Sequence, residues 1–345
     1  MSTHAGLRVV VTGATGNVGT SVIEALSQDP DVAAVVGLAR RLPKMSVPGV
    51  EWATVDLSRR DSPAVLDQYL DGADTVVHLA WRFQPTHAPV LTWRNNVLGS
   101  IRVFEAVARA GVPALVHASS VGAYSPGPKV EPGVTEEWPT HGWPDAAYCR
   151  EKSYLERVLD AFEPRHPWVR VVRMRPGFLF KEQAASEQRR IFAGRYVPGV
   201  LLRPDLLPFV PDLAGLRFQA LHTDDAAQAY RAAVVGDVRG PFNLAAEPVI
   251  GAAELGELLD VRVVRVPRAL VRSALAAAWR AHAVPASPHL FDAVLRLPLL
   301  DSSRARDLLD WQPARTGLEA LASFLSGVRR GAGLETPPLV GRRWG

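Results

Sequence analysis

The stretch "VVVTGATGNVGTSVIEAL", Val9 to Leu26, decides how this chain is read. It passes from a β-branched run, through glycines at 13, 16 and 19, into a helical apolar pattern. A tight turn without side chains lets phosphate oxygens approach a helix N-terminus, where free N–H groups and the helix dipole favour an anion. A glycine at the third position also lets helix and strand pack closely. The spacing is G-x-x-G-x-x-G. Its place between a strand and a helix, more than the glycines themselves, points to nucleotide binding.

Working outward, short apolar runs alternate with helical patterns. "LRVVVTG" (Leu7–Gly13), "AAVVGLA" (Ala33–Ala39), "EWATVDL" (Glu51–Leu57), "DTVVHLA" (Asp74–Ala80), "ALVHASS" (Ala114–Ser120) and "VRVVRMR" (Val169–Arg175) read as strands. Runs of this kind, rather than strict alternations, are what a parallel sheet covered on both faces requires. The alternation predicts an α/β fold, a doubly wound parallel sheet of Rossmann type with a smaller C-terminal substrate domain. Residues 1–176 are expected to form the dinucleotide-binding domain, with 217–246 returning to it. Residues 177–216 and 247–330 are expected to form the substrate domain, and 331–345 a loose tail.

The bulk numbers narrow the function. The chain has 345 residues with a formal charge of +4, but its acidic residues are interspersed and no basic run reaches five, which speaks against nucleic acid. The single cysteine, Cys149, excludes an intramolecular disulfide and a cysteine-based zinc site, and no metal is expected. The N-terminus lacks a charged segment followed by a long apolar one, and no run reaches the 18 apolar residues of a membrane span. The expectation is a cytoplasmic protein with no membrane partner.

The second strand ends in Ala39-Arg40-Arg41 where a ribose-binding acid would hold a 2′-hydroxyl. Guanidinium groups in place of a carboxylate favour a 2′-phosphate, hence NADP(H), with NAD(H) the less favoured alternative. Asp56 and Leu57, after the third strand, are candidates for the adenine edge. "HLAW" (His78–Trp81) and "ASSVGAY" (Ala118–Tyr124) follow the fourth and fifth strands, on the side where ligands bind in such sheets. In "AAYCREKSYLERVL" (Ala146–Leu159), Tyr148 and Lys152 are four residues apart, so a helix puts phenol and ammonium on one face. A phenol beside a cation is expected to ionise more easily than usual.

With "TGATGNVG", "DL" at 56–57, "HLA", "NNVLGS", "SSVGAY", "YCREK", "RMRPG" and "HTDDAAQAY" in this order, the chain resembles the extended short-chain dehydrogenase/reductase family, the NAD(P)-dependent epimerase/dehydratase group. The resemblance implies that Tyr148 is the general acid/base, that Lys152 lowers its pKa and holds the nicotinamide ribose, and that Ser120 hydrogen-bonds the substrate oxygen, with Ser119 able to share that task. It also implies that Gly13, Thr15, Gly16, Asn17, Val18 and Gly19 cradle the pyrophosphate. Leu79 and Ala80 would border the cofactor, Asn96 would anchor its helix nearby, and Pro176 and Gly177 would line the nicotinamide. Trp81, Phe83, Tyr124, Trp143 and Arg203 are the substrate candidates. The implied activity is hydride transfer between a nicotinamide and a carbonyl or secondary alcohol. The alternatives are epimerisation of a nucleotide sugar through transient oxidation, and dinucleotide sensing without turnover. Val121 and Gly122 after Ser120 disfavour a dehydratase. Phe218, with Arg217 one residue further back, departs from the epimerase pattern at the diphosphate anchor. The resemblance further implies a homodimer paired through the helices after the fourth and fifth strands.

Overall fold

Val9, Val10 and Val11 are consecutive and all fully buried, which a strand achieves only when both faces of its sheet are covered. They belong to β1 (Leu7–Thr12), an interior strand of a seven-stranded parallel sheet. The computed structural model describes residues 6–192, 194 and 208–341. In chain order α1 (Asn17–Ser27), β2 (Val32–Ala39), β3 (Val50–Thr54), α2 (Ser62–Leu70), β4 (Thr75–His78), α3 (Pro89–Arg109), β5 (Ala114–Ala118), α4 (Ala147–Arg165) and β6 (Arg170–Pro176) complete the first half. They are followed by β7 (Phe178–Phe180), α5 (Ala185–Phe192), β8 (Val210–Asp212), β9 (Ala220–His222), α6 (Thr223–Val235) and β10 (Gly240–Leu244). The remaining elements are α7 (Ala252–Leu259), β11 (Val263–Arg265), α8 (Arg268–Arg280), α9 (Pro288–Val294), α10 (Ser303–Leu309) and α11 (Gly317–Arg330).

The sheet order is β10-β6-β5-β4-β1-β2-β3, with every pairing parallel. The order reverses between β1 and β4, so a crevice opens beyond their carboxyl ends. One apolar layer joins α1 and α6 to the sheet through Val22, Leu26, Ala229 and Tyr230. The other joins α2, α3 and α4 through Leu66, Phe104, Leu155 and Phe162. Four strands lie outside the main sheet in two pairs: β7 with β9, and β8 with β11. Among the described residues, no helix is long and apolar enough to cross a membrane.

The end of the chain corrects the expectation of a loose tail from residue 331. As far as the description runs, to Gly341, it is tied down. Thr336 and Leu339 are fully buried. The Thr336 hydroxyl donates to the Thr15 carbonyl (2.9 Å), the Glu335 carbonyl accepts from Lys44 N (2.8 Å), and Arg190 donates to the carbonyls of Pro338 (2.6 Å) and Val340 (2.9 Å). A Pro-rich end has no helix or strand period to reveal it in sequence; backbone acceptors matched by distant donors hold it in place.

Glu156 of α4 locks that helix to the sheet. Its carboxylate takes a two-pronged pair of bonds from Arg175 (Nε, 3.0 Å; Nη2, 2.8 Å), one from Arg173 (2.9 Å) and one from the Ser119 hydroxyl (2.5 Å). Burial pushes this carboxyl upward, but the bonds and charge of Arg175, then of Arg173, outweigh it and hold it down at about 2. Its folded pKa lies below the unfolded value, so its stabilisation is present above the unfolded value and lost as pH falls toward 2. Glu156→Gln is expected to cost about 3–5 kcal/mol, because the buried Arg175 guanidinium loses its carboxylate partner and Arg173 keeps only Asp160 and Glu163. It should also flatten the acid limb of the stability curve, as read by urea unfolding between pH 3 and 7.

Candidate active site

The loop after β1 turns at Gly13 with φ +73°, a left-handed conformation, and a Cβ there would lie 2.6 Å from the Ala80 nitrogen. Backbone from β1 and β4 therefore meets without a side chain between. Gly16 forms the N-cap of α1 and supplies no side-chain cap, which leaves a helix N-terminus facing the crevice. A cradle that a Cβ would fill, at the head of an uncapped helix, fits a dinucleotide pyrophosphate. Thr15, Asn17, Val18 and Gly19 line the same cavity of about 830 Å³, and so do Leu79, Ala80, Asn96, Pro176 and Gly177. Pro337 and Pro338 of the anchored tail border it too.

At the end of β2, Arg40 and Arg41 reach the cavity together with Asp56 and Leu57. Burial lowers the Arg40 pKa, the charge of Arg82 lowers it further, and Asp56 pulls back. Arg82, just past "HLAW", thus adds a second guanidinium beside Arg40 that the sequence reading missed. Its position two residues beyond the fourth strand's small-residue end is the available signal. Asn96 holds this loop: its Oδ1 accepts from Arg82 N (2.8 Å), and its Nδ2 donates to the Arg82 carbonyl (2.9 Å) and to Glu151 (2.7 Å). Asp56 also caps its own turn, accepting from Ser58 N (3.0 Å) and Ser58 Oγ (2.7 Å).

Beyond β5 the chain makes a short turn over Val121–Ala123, with Ser120 as its cap and Ser120 Oγ accepting from Gly122 N at 2.9 Å. The Tyr148 ring lies directly on this turn: a Cβ on Gly122 would sit 2.7 Å from Tyr148 Cε1. Glycine here is what lets the phenol reach the serine. Phe83 stacks on the Tyr148 ring (5.0 Å, 13°) and Trp81 meets it edge-on (5.6 Å, 79°). Ser120, Tyr148 and Lys152 all line the cavity.

Burial governs the electrostatics of Lys152 and Tyr148. Its Nζ donates to the Ala118 carbonyl (2.6 Å) and sits over the Trp81 ring (3.6 Å), 6.0 Å from the Tyr148 ring centre. Burial drives its pKa down to about 7, with the charges of Glu151 and Glu156 opposing. Burial also pushes the Tyr148 phenol up, and the hydrogen bond with Ser120 offsets only part of that. Desolvation, not the neighbouring cation, dominates both groups.

The remaining candidates divide: Ser119 lines the cavity, while Tyr124 and Trp143 do not. The Ser119 hydroxyl is committed to Glu156 (2.5 Å), so it does not share the task of Ser120. Tyr124 is fully buried, donates to Asn243 (2.6 Å) and accepts from Arg175 (3.0 Å), which makes it a tie to β10 and not a substrate contact. Trp143 packs by Cys149 and Ala293 and under Arg296 (4.5 Å), outside the cavity lining. Trp81 and Phe83 do line it. Arg203 lies outside the described residues. His78 of the quoted "HLA" serves the fold, bonded to Thr12 (2.6 Å) and Ser100 (2.7 Å).

Comparison with known proteins follows this geometry. A family model described as the NAD dependent epimerase/dehydratase family matches residues 9–245. The chain is 29% identical over 212 residues to L-arabinose 1-dehydrogenase (NAD(P)(+)) of Haloferax volcanii, covering 57% of this chain and 78% of that one. It is 27% identical over 333 residues to an uncharacterized protein of Mycobacterium tuberculosis, covering 95% of this chain but spanning only 31% of that protein's length. Among solved structures it is similar to the Thermus thermophilus UDP-glucose 4-epimerase in complex with NAD, with TM-score 0.68, 19% identity, and coverage of 94% of this chain and 99% of that one. At that identity the likeness concerns the fold.

The folded pKa of Lys152, about 7, lies below its ordinary 10.5. The unfolded chain therefore binds the extra proton between those values, and the cost of burying this lysine is full below pH 7 and fades toward 10.5. Lys152→Met is accordingly expected to raise the melting temperature of the cofactor-free protein. The gain should be greatest at pH 7 and below and shrink steadily toward pH 10, as followed by differential scanning fluorimetry.

Proposed function

Because the chain belongs to the NAD-dependent epimerase/dehydratase family, we propose that it is an oxidoreductase moving hydride between NADP(H) and a carbonyl or secondary alcohol, with product released at each turnover. The observation that carries this reading is the seating of Tyr148 on Gly122 against Ser120, in the same cavity as the glycine turn of α1. The substrate oxygen would lie between the Ser120 and Tyr148 hydroxyls, one holding it and the other exchanging a proton with it. Lys152 would bind the nicotinamide ribose, and Pro176 and Gly177 would border the ring. A bound nicotinamide supplies the hydride. Residues 1–176 would hold the dinucleotide, and 177–216 with 247–330 the substrate.

The pairing of Arg40 with Arg82 supports NADP(H) over NAD(H), since two neighbouring guanidinium groups call for an anion such as a 2′-phosphate. The dehydrogenase from Haloferax volcanii supports an oxidoreductase. So does Arg217, which bonds the Lys129 carbonyl (2.7 Å) instead of lining the cavity where it could anchor a diphosphate.

Titration by intrinsic tryptophan fluorescence tests the cofactor. NADPH should bind at least tenfold more tightly than NADH, and Arg40→Ala with Arg82→Ala should erase that preference while leaving NADH affinity unchanged. Tyr148→Phe should cut turnover by a factor of about 10²–10⁴, the usual worth of a positioned acid, with NADPH affinity within twofold of the wild type. A wild-type rate in that variant would end the proposal.

We also propose that two copies pair through α3 and α4. Val90 and Leu98, eight residues apart on one stripe of α3, are 74% and 39% exposed, and Tyr154 of α4 is 43% exposed with Trp93 packed on it at 4.9 Å. Sedimentation should show a dimer, and Leu98→Glu combined with Tyr154→Glu should yield a monomer.

A further inference from the structure

The cavity has two chemically different ends. Toward the dinucleotide turn it is charged: Arg40, Arg82 and Asp56 influence one another there. Past Tyr148 the lining changes character. Phe83 stacks on the phenol, and Phe192 approaches Phe83 edge-on at 6.3 Å. Leu290, Phe291 and Val294 of α9 line the cavity and are half-buried, so they keep surface free for a ligand.

This apolar wall is built, not incidental. Ser287 caps α9, accepting from Leu290 N at 3.2 Å, with Pro288 in the first turn. Ala293 packs against Ala146 and Cys149 beside Tyr148, which fixes α9 against the start of α4. Lys129 donates to the Val294 carbonyl at 2.9 Å and satisfies the end of the helix. The same ammonium donates to the Arg217 carbonyl (2.7 Å), and Arg217 donates back to the Lys129 carbonyl (2.7 Å). That closed pair withdraws both cations from the cavity.

We infer that the substrate is a carbonyl compound, or the matching secondary alcohol, borne on an uncharged hydrocarbon body, and not a nucleotide sugar. The inference rests on the oxidoreductase reading above and names its substrate class. A nucleotide sugar brings a diphosphate and a ring of hydroxyls, and a buried anion without paired cations is strongly disfavoured. Among the described residues at the α9 end, Phe83, Phe192, Leu290, Phe291 and Val294 cannot answer a charge, and Glu187, Gln188 and Ser287, which line the same cavity, add an acid and two neutral groups but no cation. Arg189 lines the cavity but is already engaged in interactions of its own. Phe218 rests on Phe178 at 5.3 Å and does not line the cavity. Hydrocarbon laid against the wall beyond Tyr148 gains from leaving water, while its carbonyl meets the polar pair Ser120 and Tyr148.

The test uses the full chain loaded with NADPH and offers cyclohexanone, 4-ethylcyclohexanone, 4-butylcyclohexanone and, separately, UDP-glucose. Turnover and the shift in melting temperature are both read. The expected result is a rise in kcat/KM of about fourfold per added methylene until the wall is covered, with the butyl compound raising the melting temperature and UDP-glucose doing neither. Val294→Asp should lower kcat/KM for the butyl compound at least tenfold, with NADPH affinity unchanged. Phe291→Ala, a milder change whose fold is checked by its own melting curve, should lower it about fivefold. A flat response along the ketone series in both readouts, or turnover of UDP-glucose, overturns the substrate class while leaving the cofactor reading in place. Failure of NADPH to bind overturns the oxidoreductase reading and this inference with it.

Discussion

The buried carboxylate of Glu156 is the contact on which the rest of the site depends. Tyr148, Lys152 and Glu156 are spaced four residues apart on α4, so they share one face of that helix. Glu156 is almost fully buried and bonded to Arg173 and Arg175 of β6 and to Ser119 after β5. That choice of face leaves Lys152 pointing at the Ala118 carbonyl and Tyr148 lying on Gly122. A second acid on the helix, Glu151, faces α3 instead and is held by Thr92 (2.6 Å) and Asn96 (2.7 Å). With one carboxylate fixed to the sheet and another to the neighbouring helix, α4 cannot rotate without unpairing a buried charge. The face that carries Tyr148 and Lys152 is thus set by anchors at Glu151 and Glu156.

These relations explain which parts of the molecule were legible in the sequence. The parallel sheet was readable because its strands are nearly continuous apolar runs, and the glycine turn because only small residues allow β1 and β4 to approach there. The Tyr148–Lys152 pair was readable from helical spacing. Glu156 carries the same spacing one turn further on, but an acid on a helix reads as a solvated residue until its partners on β6 are placed. The ties of Ser119 and Tyr124 are hidden for the same reason: their partners, Glu156 and Asn243, lie 37 and 119 residues away in the chain. The anchored tail and Arg82 likewise depend on long-range hydrogen bonds and charges, which leave no periodic trace.

Charge is distributed unevenly along the cavity. The helix N-terminus of α1 and the guanidinium groups of Arg40 and Arg82 favour anions at one end. At the other end, among the described residues, Lys129 and Arg217 are held by carbonyl groups, and Phe83, Phe192, Leu290, Phe291 and Val294 give the lining an aromatic and aliphatic stretch. Paired in this way, the cations stabilise loops without imposing a charge requirement on what binds there.

The pKa values at the middle of the cavity follow from the same economy of polar groups. Burial brings the Lys152 pKa down to about 7, so what its Nζ meets bears on whether it is charged. Its ammonium already has the Ala118 carbonyl and the face of Trp81, yet these do not offset its burial. A hydroxyl or an anion brought within hydrogen-bond reach of Nζ would favour the charged form and, through it, ionisation of the phenol. In the proposed mechanism, activation of Tyr148 is thereby tied to what fills the site, and the burial of α4 is what makes Lys152 responsive to it.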